Sequence, residues 1–195
     1  AGLALAPQAR AIFVNGVAGT IGSALTELAK AKGLGVIGTV SSEQKARYAK
    51  AKGADEVVFY QREPVLERVM AATEGRGVDA AFDHVIGAGF IDCVRMLADF
   101  GTAVAYNVHT PMPGDDVFAE LRRLSIRSPG VRVFNIHTYD HDIPLLRKLT
   151  QDLIKMLAAG LIKPTIGARL PLTRIAEAHR MFEEGSTLGK IVLLP

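Results

Sequence analysis

The chain has 195 residues, 49% of them apolar, enough for one domain with a sizeable core or one domain with an appendage. Its 23 basic and 20 acidic residues are interspersed and leave a net charge of +3, too mild and dispersed for a nucleic-acid or membrane surface. A single cysteine, Cys93, excludes an internal disulfide framework and an all-cysteine zinc site, and fits a reducing cytosol. The opening AGLALAPQAR lacks the basic start of a secretory signal, and no apolar run reaches the ~18 residues of a membrane span.

In chain order, short apolar runs alternate with longer helix-like stretches. The strands predicted are AIFV (11–14), GVIGTV (35–40), EVVFY (56–60), DAAFDHV (79–85), TAVAY (102–106) and VRVFNI (131–136). They are rich in Val, Ile, Phe and Ala with few charges, as for strands buried on both faces. Helices are predicted within 23–33, 42–53, 63–75, 89–101 and 115–124, most of them ending at or just before a Gly. Six such units predict an α/β fold: a Rossmann-type, doubly wound, parallel six-stranded sheet with helices on both faces. The tail differs. A long amphipathic helix over 143–159 closes at Gly160, an extended piece reaches Pro164, a helix follows with Thr173 as N-cap, and GKIVLLP is a last strand. The expected division is a nucleotide-binding domain over 1–160 and a C-terminal segment over 161–195.

The glycine cluster between the first strand and first helix carries the chemistry. A helix N-terminus presents free amides and a positive dipole end, and so attracts phosphate. Gly19 would let the backbone approach a diphosphate, and Gly22 would let helix and strand pack closely. The G-x-G-x-x-G fingerprint is degenerate here: Val17 replaces its first glycine, and Gly16 is expected to take the sharp turn. The alternative is a plain tight turn of an α/β protein. After the second strand, Thr39, Val40, Ser41 and Ser42 stand where an NAD site carries a carboxylate, and Lys45 and Arg47 follow. Hydroxyls and a Lys suit a 2′-phosphate, which favours NADP; the alternative for Lys45 and Arg47 is a solvated helix face.

Other candidates are weaker. GSTLGK (185–190) is one residue short of a phosphate loop, and Ile191 stands where Ser or Thr should bind magnesium. His137, Asp140 and His141 fit a solvated loop better than a metal site. Asp83 and His84, at a strand end, suit a structural or cofactor-edge role better than acid–base work. Cys93 reads as a buried small hydrophobe.

The stretches 14–60, GRGVDAAFDHVIG and AAGLIKPTIGARLPLTRIAEAHRMFEEGSTLGKIVLLP together resemble the medium-chain dehydrogenase/reductase superfamily, in its zinc-independent quinone oxidoreductase branch. The resemblance implies an NADPH-dependent reductase of quinones or other α,β-unsaturated carbonyls, with no metal. Matched motif to motif, it places the diphosphate turn on Ala18, Gly19, Thr20, Ile21 and Gly22, and the 2′-phosphate and adenosine on Ser41, Lys45 and Tyr60. Val85 would lie beside the adenine ribose, and Tyr106, Asn107, Val108, Phe134 and Asn135 near the nicotinamide. Val17 and the loop YNVHT depart from the family pattern. The resemblance also implies that an N-terminal catalytic domain normally precedes this stretch. The chain is then a fragment, such as the enoyl-reductase portion of a multidomain synthase, or a stand-alone nucleotide-binding module acting as sensor or structural protein. It further implies a homodimer built through the sixth strand, which would be an open sheet edge.

Overall fold

The computed structural model describes residues 8–106, 116–185 and 187–195. Its core is a parallel sheet. The strands β1 (Ala11–Val14), β2 (Gly35–Val40), β3 (Glu56–Phe59), β4 (Val78–Asp83), β5 (Leu97–Ala105) and β6 (Gly130–Val133) lie in the order β3-β2-β1-β4-β5-β6. This is the doubly wound arrangement anticipated from the alternating runs.

Side-chain alternation in β1 explains the layering. Ile12 and Val14 point to one face, where they pack with Ala29 of α1 (Thr20–Lys30) and with Ala46 and Ala49 of α2 (Glu43–Ala51). Phe13 points to the other. There it meets Val69 of α3 (Val65–Ala72) and Phe90 and Val94 of α4 (Phe90–Arg95), with α5 (Val117–Arg123) packed alongside. Both faces of the central strand are therefore dry, and its side chains are uniformly apolar.

The helix expected over 89–101 is shorter than its pattern. It stops at Arg95, and residues 97–100 already belong to β5. Phe90, Ile91, Val94 and Leu97 keep helical spacing, so the apolar period runs straight through the junction. Pairing with β4 decides otherwise: the Val78 amide donates to the Met96 carbonyl at 2.8 Å, and Leu97 pairs with Val78. The strand then bulges at Phe100, whose φ is +59°, before pairing resumes at Thr102.

The tail forms α6 (Ile143–Ala158), β7 (Ile166–Pro171), α7 (Ile175–Glu183) and β8 (Lys190–Leu194), with β7 and β8 paired in parallel as a second, two-stranded sheet. Asp142 caps α6 by accepting the Leu145 amide at 3.0 Å, and Gly160 closes it with φ +68°. Thr173 does not cap α7. It lies in the 3₁₀ turn Leu172–Arg174, and the first turn is instead tied by Arg174 to Glu177 at 2.6 Å. No helix among the described residues is long and apolar enough to cross a membrane.

Candidate cofactor-binding cleft

The carboxyl ends of β1, β2 and β4 are sewn together beneath the glycine turn. The Gly16 amide donates to Thr39 Oγ1 (2.8 Å), Thr39 donates to Asn15 Oδ1 (2.6 Å), and Asn15 Nδ2 donates to Asp83 Oδ1 (2.9 Å). Asp83 is fully buried and also accepts the Val85 amide at 2.8 Å, so its charge is met by fixed donors. Burial, reinforced by the neighbouring Asp83 carboxylate, pushes the Cys93 thiol well up, which leaves an inert small hydrophobe.

On this base the glycines take their expected shapes. Gly16 adopts φ +74° and makes the sharp turn, and a Cβ there would lie 2.9 Å from His84 Cε1. Gly19 is the N-cap of α1, and no side chain caps the helix. The first-turn amides of Thr20, Ile21 and Gly22 thus face the cleft without a protein acceptor from a cap. A Cβ on Gly22 would lie 2.3 Å from the Gly16 carbonyl oxygen, so helix and turn touch backbone to backbone.

The turn opens into a cleft of about 1230 Å³. Ala18, Gly19, Thr20, Ile21, Gly22, Ser41, Lys45, Tyr60, Val85 and Tyr106 all line it. Ser42 is spent as the α2 cap, accepting the Lys45 amide at 3.3 Å, and Ser41 is left at the cleft wall. Glu43, the first residue of α2, pairs with Arg62 at 3.1 Å and does not line the cleft. This part of the cleft wall presents the Ser41 hydroxyl and the Lys45 ammonium. Phe134 and Asn135 stand at the end of β6, outside the cleft lining. The Phe134 amide bonds the Ala105 carbonyl at 2.7 Å, and the Asn135 side chain accepts the His137 amide at 3.0 Å. Asn107 and Val108 lie outside the described residues.

Two features escaped the residue pattern. His84 and Tyr106 stack at the ends of β4 and β5, ring centroids 5.6 Å apart, with Tyr106 Oη 3.3 Å from His84 Nδ1. Burial, with the Asp83 charge adding to it, pushes the Tyr106 phenol up, so it stays protonated as a donor. The second feature is the opposite wall, which comes from the tail: Ile175, Ala178 and Phe182 of α7, then Gly185 and Lys190. The second glycine of GSTLGK has a packing reason. Gly189, at φ +89°, would place a Cβ 2.4 Å from the Thr165 carbonyl oxygen.

Strand order and turn together define a Rossmann-type dinucleotide-binding domain. A family model described as zinc-binding dehydrogenase matches residues 52–193, and the chain belongs to that family. It is 30% identical to a quinone oxidoreductase of Pseudomonas aeruginosa over 192 residues, 94% of this chain and 56% of that protein. It is also 30% identical to a highly reducing polyketide synthase of Cordyceps militaris over 189 residues, 95% of this chain and 7% of the synthase. The structure of Escherichia coli quinone oxidoreductase complexed with NADPH superposes with a TM-score of 0.83 at 27% identity, covering 95% of this chain and 57% of that one. The chain thus spans about half the length of the oxidoreductases it matches. Zinc finds no donor set here: among the described residues no group of three His, Cys, Asp or Glu could hold a metal ion. His137 pairs with Asp140 at 2.8 Å on the surface.

Proposed function

We propose that this chain binds NADPH and forms the cofactor-binding part of a zinc-independent oxidoreductase that reduces quinones or other α,β-unsaturated carbonyls. The observation that carries this reading is the uncapped α1 N-terminus at Gly19 sharing one cleft with Ser41 and Lys45. The amides of Thr20, Ile21 and Gly22 bind the diphosphate. Lys45 and Ser41 hold the 2′-phosphate, and Tyr60 flanks the adenosine. Val85 borders the adenine ribose, and Tyr106 borders the nicotinamide. Bound NADPH supplies a hydride to an electrophilic carbon. Residues 161–195 join a catalytic domain in this reading, and two copies pair through β6, the last strand of the sheet. The lone, buried Cys93 suits a cytoplasmic protein.

A second reading has its own support: equal identity to a polyketide synthase favours an enoyl-reductase portion of a multidomain synthase. Cofactor and hydride transfer are the same in both. A phosphorus NMR titration of NADP⁺ tests the shared core. The 2′-phosphate resonance should shift and broaden on addition of the chain, and an equal concentration of NAD⁺ should not displace it. An unmoved 2′-phosphate signal would contradict the reading.

A further inference from the structure

An ion pair lies remote from the glycine turn. Glu27 lies in α1 and Lys52 follows the last residue of α2. Lys52 Nζ stands 2.8 Å from Glu27 Oε1, and each side chain is only 12% exposed, so the pair is largely withdrawn from solvent screening. Both partners also hydrogen-bond one distant residue. Glu27 Oε2 accepts the Lys163 amide at 3.1 Å, and the Lys52 ammonium donates to the Lys163 carbonyl. Both backbone polar groups of Lys163 are thus held by one desolvated pair. The Lys52 ammonium also lies 5.9 Å from the centroid of the Tyr48 ring, which covers it.

The position of this grip matters. Lys163 leads into β7, and everything the tail contributes to the cleft lies downstream of it, Ile175, Ala178, Phe182, Gly185 and Lys190 included. The helices that hold Lys163 are the two that begin at the cleft, α1 at Gly19 and α2 beside Lys45. At the far wall a Cβ on Gly185 would come within 3.7 Å of Lys45 Nζ. A displacement of the tail therefore changes the cleft next to the phosphate-binding ammonium.

We propose that Glu27 and Lys52 are positioning residues: they latch the tail at Lys163, hold its α7 wall over the cleft and thereby set the affinity for the dinucleotide. The proposal rests on the NADPH reading above. A wall fixed before the ligand arrives spares the ligand the cost of ordering it. Breaking the pair from one side also leaves a desolvated charge without its partner, so a single substitution frees the tail rather than shifting it slightly.

The test pairs two readouts on the full chain: fluorescence titration with NADPH, and amide hydrogen exchange over residues 166–194. Glu27→Gln and Lys52→Met should each weaken NADPH by about three- to tenfold and raise exchange across β7, α7 and β8, with β1 and β2 unchanged. The conservative variant Lys52→Arg, which keeps a cation able to donate to both Glu27 and the Lys163 carbonyl, should retain most of the affinity and protection. It guards against variants that merely fold badly. Unchanged exchange would overturn the latch. Raised exchange with unchanged affinity would overturn its role in positioning. A wild-type chain that bound no NADPH would overturn the cofactor reading, while its exchange pattern would still report on the latch.

Discussion

The β-carbon of Val17 fills the space that a side chain at Gly38 would need: a Cβ built on Gly38 would lie 2.4 Å from it. Val17 stands where the dinucleotide fingerprint has its first glycine, and it is fully buried. The bulk moved into the turn is accommodated by a glycine in the neighbouring strand. Gly38→Ala should therefore destabilise the fold by about 1–3 kcal/mol through overpacking. Combining it with Val17→Gly should recover part of that loss. Chemical denaturation of the three variants measures this; an unchanged midpoint in Gly38→Ala would contradict the packing account.

Gly22 should be the least tolerant glycine of the turn. Its Cβ would meet the Gly16 carbonyl oxygen at 2.3 Å and Val17 Cα at 2.8 Å, all backbone that cannot swing away. Gly22→Ala should cost about 2–3 kcal/mol and lower the thermal midpoint. Gly19 meets only the Gly16 oxygen, at 3.2 Å, so Gly19→Ala should unfold at nearly the wild-type temperature. Equal losses at both positions would show that the turn moves as a unit.

Asp79 predicts an acid limb of stability. Its carboxylate accepts the amides of Arg10 (2.8 Å) and Ala11 (3.0 Å) and pairs with Arg76 at 2.5 Å. Burial alone would raise its titration, but Arg76 and the two amides outweigh burial and hold it below the usual carboxylate range. The charged form is thus favoured by folding. Its contribution is present above the unfolded value of about 3.9 and is lost as pH falls through the lower folded value. Asp79→Asn should cost about 1–3 kcal/mol near neutrality, and the gap to wild type should shrink in acid. A gap that widened in acid would contradict this sign.

The free edge of the sheet carries the association prediction. Among the described residues β6 pairs only with β5, and Val133 at its end is 60% exposed. An apolar edge of this kind is a template for a second copy. Sedimentation should give a dimer for wild type and a monomer for Val133→Lys. A monomeric wild type at high concentration would contradict it.

Turnover should be poor even where cofactor binds. Hydride transfer needs the acceptor held against the nicotinamide in a dry, oriented cleft, and orientation alone is worth roughly 7–11 kcal/mol of barrier. A steady-state assay with NADPH and a simple quinone should show little activity for this chain. Rapid quinone reduction would overturn the view that it is only the cofactor-binding part.

The sheet was legible because β1 and β2 are dry on both faces, so their apolar runs begin and end with the strands. The start of β5 was not, since Phe90, Ile91, Val94 and Leu97 continue one helical period across a change of structure. Thr173 has the right chemistry for a cap, but Arg174 reaches Glu177 and ties the first turn instead. Gly16, Gly19 and Gly22 could be placed from spacing because the turn is local. The Asn15–Thr39–Asp83 network joins residues from the ends of three separate strands, and the α7 wall comes to the cleft from the far end of the chain. Neither arrangement leaves a local pattern. Val17 looked like a departure from the fingerprint because its compensation, Gly38, lies in the next strand.

The central claim is that the glycine turn and Lys45 form one NADPH site, and fluorescence titration with NADPH and NADH measures it directly. Wild type should bind NADPH at least several-fold more tightly than NADH, because a charge-assisted contact to the 2′-phosphate contributes on the order of 1.5–3 kcal/mol before solvent screening. Lys45→Ala should erase that preference and leave NADH nearly unchanged. Gly19→Val should abolish binding of both while the circular dichroism spectrum stays that of wild type, since its side chain would occupy the space of the diphosphate. Equal affinity of wild type for the two cofactors, or retained binding by Gly19→Val, would contradict the account.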